Sequence, residues 1–134
     1  MGYLLDTNVW IDIERGKEDR LIGKAASASN EDLLLSTVVL GEIVAGIERS
    51  RNPELARRTY DILFHGRATI GVDEGCAAVY GRIRAQLLNK GTPIGANDLW
   101  IAAQAISNGL VLVTANTAEF CRVPGLELEN WRAG

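Results

Sequence analysis

Tyr3-Leu4-Leu5-Asp6-Thr7-Asn8 joins an unbroken apolar run to a carboxylate and two hydrogen-bonding side chains. A run this short cannot span a membrane, and its lack of polar alternation suits a strand buried on both faces of a parallel sheet. In open α/β sheets, ligands and catalytic groups collect at the carboxyl ends of such strands. An acid in that place must be held ionised by a partner, and a metal ion is one such partner. Asp6 or Thr7 could equally cap the helix that follows.

Working outward, Asn8 to Glu14 reads as a short helix ended by Gly16, and Lys17 to Ser29 as a second helix with Leu21, Ile22, Ala25 and Ala26 on one face. Leu33-Leu34-Leu35 is a second buried strand. Ser36 or Thr37 caps a helix with apolar Val39, Leu40, Ile43, Val44 and Ile47. Asn52 and Pro53 open another helix, and Ala68-Thr69-Ile70 forms a third strand. Asp73 caps a helix stopped by Gly91, Asn97 caps one from Asp98 to Ser107, and Leu110 to Val113 is a fourth strand. Thr114 to Glu119 turns sharply, and Leu126-Glu127-Leu128 forms an edge strand. Strands alternating with helices imply a mainly parallel sheet between two helical layers, a three-layer α/β/α sandwich. With no repeat or linker, residues 1–134 read as one domain.

Composition narrows the chemistry. The chain is 134 residues, 47% hydrophobic and 23% charged, which is ordinary globular material. It shows no signal-peptide pattern and no apolar run of the roughly 18 residues a membrane helix needs, so a cytoplasmic location is expected. The net charge of −3 is uneven: residues 1–48 carry a net −5, residues 49–90 a net +4, and residues 91–134 a net −2. Such a distribution can hold a cation at one locus and phosphates beside it. A single histidine, His65, rules out a two-histidine ribonuclease mechanism within one chain, and no phosphate-binding GxxxxGK[ST] loop is present. Cys76 and Cys121 lack metal-ligand spacing and read as free thiols.

Three acids stand where a hydrophobic pattern would not choose them. Asp6 ends the first strand, Glu42 sits among Leu40, Ile43 and Val44, and Asp98 precedes Leu99-Trp100-Ile101-Ala102-Ala103. No Lys or Arg lies within five residues of Asp98, so no local ion pair can compensate it. Asn116 follows the fourth strand and would approach Asp6 if the first and fourth strands are neighbours. Two carboxylates at ~4 Å repel by about 4 kcal/mol at an effective dielectric of 20, and a divalent cation turns that repulsion into coordination. Oxygen-only ligands favour Mg²⁺ or Mn²⁺ over Zn²⁺.

Asp6-Thr7-Asn8, Glu42, the stretch from Ile94 to Ala102, the stretch from Leu112 to Phe120, and the closing Arg122-Val123-Pro124-Gly125-Leu126 with Glu129-Asn130-Trp131 together resemble the PIN-domain family, and within it the VapC-type ribonuclease toxins. The resemblance implies a metal-dependent endoribonuclease acting on structured RNA such as tRNA or rRNA. It also implies a cognate antitoxin in the active groove, operator DNA bound only through that antitoxin, and a toxin homodimer. Carried over residue by residue, Asp6, Glu42 and Asp98 match the metal-binding acids, and Asn116 stands where the family commonly has Asp. An amide adds no charge, so one strong cation site is expected.

In this reading a metal-activated water attacks the phosphate, with Asp6 and Asp98 as main ligands and Glu42 acting through water or orienting the nucleophile. Thr7, Asn8 and Thr114 would fix carboxylate rotamers, or simply cap turns and helices. Arg15, Lys17, Arg20, Arg82, Arg84 and Lys90 are candidate phosphate contacts, though each could be plain solvated surface. Trp10 or Trp100 could stack on a base, against a competing role in the core. The helices over 37–47 and 54–63 could supply a dimer face or an antitoxin groove. Two other readings compete: a non-catalytic PIN-like partner that supports DNA binding by its antitoxin, and a receiver-like signalling module. The latter needs an Asp ending a middle strand, which neither Leu33–Ser36 nor Ala68–Ile70 supplies.

Overall fold

A computed structural model describes residues 2–132. Leu4 and Leu5 of β1 (Tyr3–Leu5) are fully buried, as an apolar run at the centre of a sheet requires. β1 pairs in parallel with β2 (Leu33–Ser36) on one side and with β4 (Val111–Val113) on the other. β3 (Thr69–Ile70) and β5 (Leu128–Glu129) extend the sheet outward, giving the order β3-β2-β1-β4-β5 with every pair parallel. The expected α/β architecture is borne out.

α1 (Thr7–Arg15) and α2 (Asp19–Ser27) connect β1 to β2, while α3 (Thr37–Glu48) and α4 (Pro53–Phe64) lead on to β3. The chain then crosses back through α5 (Glu74–Asn89) and α6 (Ala96–Ser107) to β4, and the short α7 (Thr117–Phe120) precedes β5. Connections leave β1 toward β2 and return to β4 on its other flank, so the strand order reverses between β1 and β4. That reversal opens a crevice at the carboxyl ends of these two strands. The register puts Leu5 opposite Val113, and the Asp6 amide donates to the Val113 carbonyl at 3.1 Å. Asp6 and Thr114, the next residue of each strand, therefore meet at the crevice.

Several boundaries differ from expectation, each for a local reason. The second helix begins at Asp19 rather than Lys17, because Gly16 takes a left-handed φ of 69° to end α1 and Glu18 follows at φ 65°. α6 starts at Ala96 with Gly95 as its cap, so Asn97 lies inside the first turn and does not cap it. The last strand is Leu128–Glu129, since Leu126 is drawn into a turn at Gly125 (φ 81°) by its amide bond to the Val123 carbonyl. The sharp turn after β4 contains one turn of helix, α7.

A buried polar bracket joins the layers. The Ser36 hydroxyl caps α3 by accepting from the Val38 and Val39 amides and donates to the Gln104 Oε1. The Gln104 Nε2 in turn donates to the Ile70 carbonyl at 3.2 Å. Ser36 and Gln104 are both fully buried, so these bonds answer groups that water cannot reach.

Candidate active site

Asp6 sits at the crevice with 8% of its surface exposed. Its Oδ1 accepts the Val9 amide at 3.0 Å and so caps α1, which makes the capping role and a ligand role compatible in one side chain. Burial pushes its carboxyl above the ordinary range, while the Thr114 hydroxyl, the Val9 amide and the positive charge of Arg132 pull it back. Glu42 projects from α3 and its Oε1 accepts the Thr7 hydroxyl at 3.0 Å.

Asp98, in the first turn of α6, is pushed up to about 6 by burial and then by the carboxylates of Glu119, Glu42 and Asp6. The fields of three acids from three other segments thus overlap at Asp98. Glu119 went unnoticed in the sequence because it lay in a segment read as a turn. Its Oε2 accepts the Asn116 amide nitrogen at 2.9 Å and its Oε1 accepts the Gly95 amide at 3.2 Å. These bonds, with Asn116 the largest influence, hold Glu119 below the usual carboxylate range. Asn116 therefore orients Glu119 across the mouth of α6 while lining the same cleft as Asp6.

Among the described residues no three acidic, histidine or cysteine side chains are drawn together tightly enough to cage a metal ion as they stand. The donor set nevertheless fits a hard cation: every group is an oxygen, and Asp98 faces three like charges.

The polar cleft has a volume of about 570 Å³ and is lined by Asp6, Asn8, Ile11, Asp12, Arg15, Ala115, Asn116 and Arg132. Thr7 and Thr114 reach carboxylates as expected, whereas Asn8 is exposed on the cleft wall. Of the six basic candidates, Arg15 lines this cleft. Lys17, Arg20, Arg82 and Lys90 are exposed, and Arg84 donates to the Tyr80 hydroxyl at 2.8 Å. Trp10 is in the core, 1% exposed and edge-on to Phe64, which removes it as a base-stacking platform. Trp100 stacks on Tyr80 with ring centroids 3.7 Å apart. A second groove between α1, α3 and α4 is floored by Ile11, Ile43 and Ile47, and Glu42 and Arg15 lie on its wall. Ile11 and Arg15 line both depressions, so the two are contiguous.

The PIN domain family model matches residues 3–126. The chain belongs to the PIN-domain family. This PIN-domain chain is 36% identical over 132 residues to ribonuclease VapC2 of Rickettsia felis, covering 98% of each. It is 35% identical over 131 residues to a tRNA(fMet)-specific endonuclease VapC of Salmonella typhimurium, again over 98% of both. The fold superposes with a TM-score of 0.90 on the Rickettsia felis VapBC2 structure bound to a DNA fragment from its promoter, at 34% identity and covering 98% and 99% of the two chains. The resemblance to VapC-type PIN domains expected from the motifs is borne out. Among the described residues no helix is long and apolar enough to cross a membrane.

Proposed function

We propose that this PIN domain, spanning residues 1–134, is a Mg²⁺- or Mn²⁺-dependent endoribonuclease toxin that cuts structured RNA, a tRNA or rRNA, in the cytoplasm. The observation that carries the reading is the overlap of the Asp6, Glu42 and Glu119 charges at Asp98, at the point where the strand order reverses. Asp6 and Asp98 would hold the cation directly, with Glu42 and Glu119 beside them. When bound, a divalent cation supplies Lewis-acid activation of water and stabilises charge on the phosphoryl and leaving oxygens.

The remaining work falls to the chain's own groups. Thr7 holds the Glu42 carboxylate and the Thr114 hydroxyl steadies that of Asp6. Asn116 aims Glu119. Glu42, which lines the neighbouring groove, would orient the attacking water. Arg15 offers positive charge to the RNA backbone.

The protein is inhibited by a VapB-type antitoxin, which touches operator DNA on behalf of the complex, and the toxin pairs as a homodimer. The Rickettsia felis relative is solved as VapBC2 on a promoter fragment and the Salmonella typhimurium relative as DNA-bound VapBC, which supports the antitoxin. The apolar groove over Ile11, Ile43 and Ile47, opening into the acidic cleft, suits an antitoxin segment with an apolar face and a basic tip. The test is cleavage of a total tRNA pool by the purified chain: activity is lost in EDTA and restored by Mg²⁺ or Mn²⁺. Cutting that persists in EDTA overturns the metal-dependent reading.

A further inference from the structure

The C-terminal Arg132 does not belong to the acidic quartet, yet it lines the same cleft as Asp6 and Asn116. Its guanidinium Nη2 pairs with the Asp12 carboxylate on α1, and its backbone amide donates to the Asn130 Oδ1 at 3.0 Å. Asp12 is itself largely buried, with 14% of its side chain exposed, against 32% for Arg132. A largely buried acid clasping a cation that still reaches solvent is an arrangement that fixes where that cation points. The Arg132 charge is felt at Asp6, so it lies within electrostatic reach of the acid that heads the crevice.

We infer that Arg132, oriented by Asp12, contacts an RNA phosphate in this cleft. The inference rests on the ribonuclease reading above and adds a residue to it. Asp6 and Asp12 line the cleft together with Arg15 and Arg132, and the two acids repel a polyanion unless those cations face its backbone. Guanidinium presents five donors in a planar fork. Asp12 takes the Nη2 side of that fork and the Nε is buried, which leaves Nη1 to reach phosphate oxygens. Arg15 lines the same cleft from the last turn of α1, so the two arginines bracket it as a pair. Asp12 acts here as a positioning residue.

The test measures binding of a total tRNA pool to the full chain carrying Asp98→Asn, which prevents cleavage, over a series of salt concentrations. Adding Arg132→Gln weakens binding by about tenfold and makes the slope of log affinity against log salt shallower by about one, as losing one phosphate contact requires. Arg132→Lys keeps the slope, because the charge remains. Asp12→Asn weakens binding although it removes a negative charge, the reverse of what charge alone would do. An Arg132→Gln protein that binds with the parental affinity and slope overturns the inference, even if its melting temperature falls, because the pair is then only a structural clasp. Tighter binding by Asp12→Asn also overturns it. If the unsubstituted chain does not cleave tRNA and the Asp98→Asn chain does not bind it, the ribonuclease reading falls first and this inference falls with it.

Discussion

Asp6, just after β1, and Asp98, in the first turn of α6, are close enough for the charge of one to act on the other, yet they are compensated in opposite ways. Asp6 is the more deeply buried, but it is met by a backbone amide, a hydroxyl and the charge of Arg132. Asp98 is partly exposed, yet its neighbours are three carboxylates. The less buried acid is thus the one pushed up to about 6. Burial is the largest influence on both carboxyls; at Asp6 hydrogen bonds and the Arg132 charge offset it, whereas at Asp98 three carboxylates add to it. Asp6 is compensated by protein groups, while Asp98 is not, which is why a cation is proposed beside it.

The sharpest way to break this comparison is to neutralise each acid without changing its shape. Asp98→Asn and Asp6→Asn should each lower cleavage of tRNA on the order of 10⁴-fold, since each removes a charge the reaction needs. Full activity in either purified variant would remove that acid from the site.

A smaller effect should separate the two in stability. The folded Asp98 carboxyl is raised from 3.8 to about 6, so the folded state binds more protons than the unfolded state in that interval. Stability without divalent cation should therefore fall as pH rises from 3.8 to about 6 and then level off. Asp98→Asn should flatten this slope in thermal melts taken in EDTA. Asp6→Asn should change it less, and its amide oxygen can still accept the Val9 amide. Equal flattening by both would erase the contrast between the two acids.

Asn116→Asp should have the smallest effect. It replaces the donor to Glu119 with a like charge, costing about 1 kcal/mol in metal-free melts. It should also increase the stabilisation that added Mg²⁺ confers, as a fifth acid at the cleft would. An unchanged Mg²⁺ response would place Asn116 outside the cation's reach.

Much of this contrast was legible in the chain itself. Apolar runs ending in polar residues located β1, β2 and β4, and an acid with no base within five residues exposed Asp98 as a charge in need of a distant partner. What stayed hidden depends on packing rather than pattern. Glu119 enters only because α7 forms within an apparent turn, and Arg132 only because the tail folds back over α1. Trp10 followed an acid at a spacing compatible with base stacking, but its ring is consumed by the core. Arg82 and Arg84 on α5 do not line the cleft, and residue type and exposure alone do not locate a side chain relative to it.

The bracket of Ser36, Gln104 and the Ile70 carbonyl bears on all of these acids. It stitches the start of the helix carrying Glu42 to the middle of the helix carrying Asp98, beneath the crevice and out of solvent's reach. The gap between those two acids is thereby gauged from below, like the jaws of a vice set by a screw in its bed. Remodelling the rim should leave the spacing of those two carboxylates intact, provided Ser36, Gln104 and the half-buried Ile70 keep their bonds.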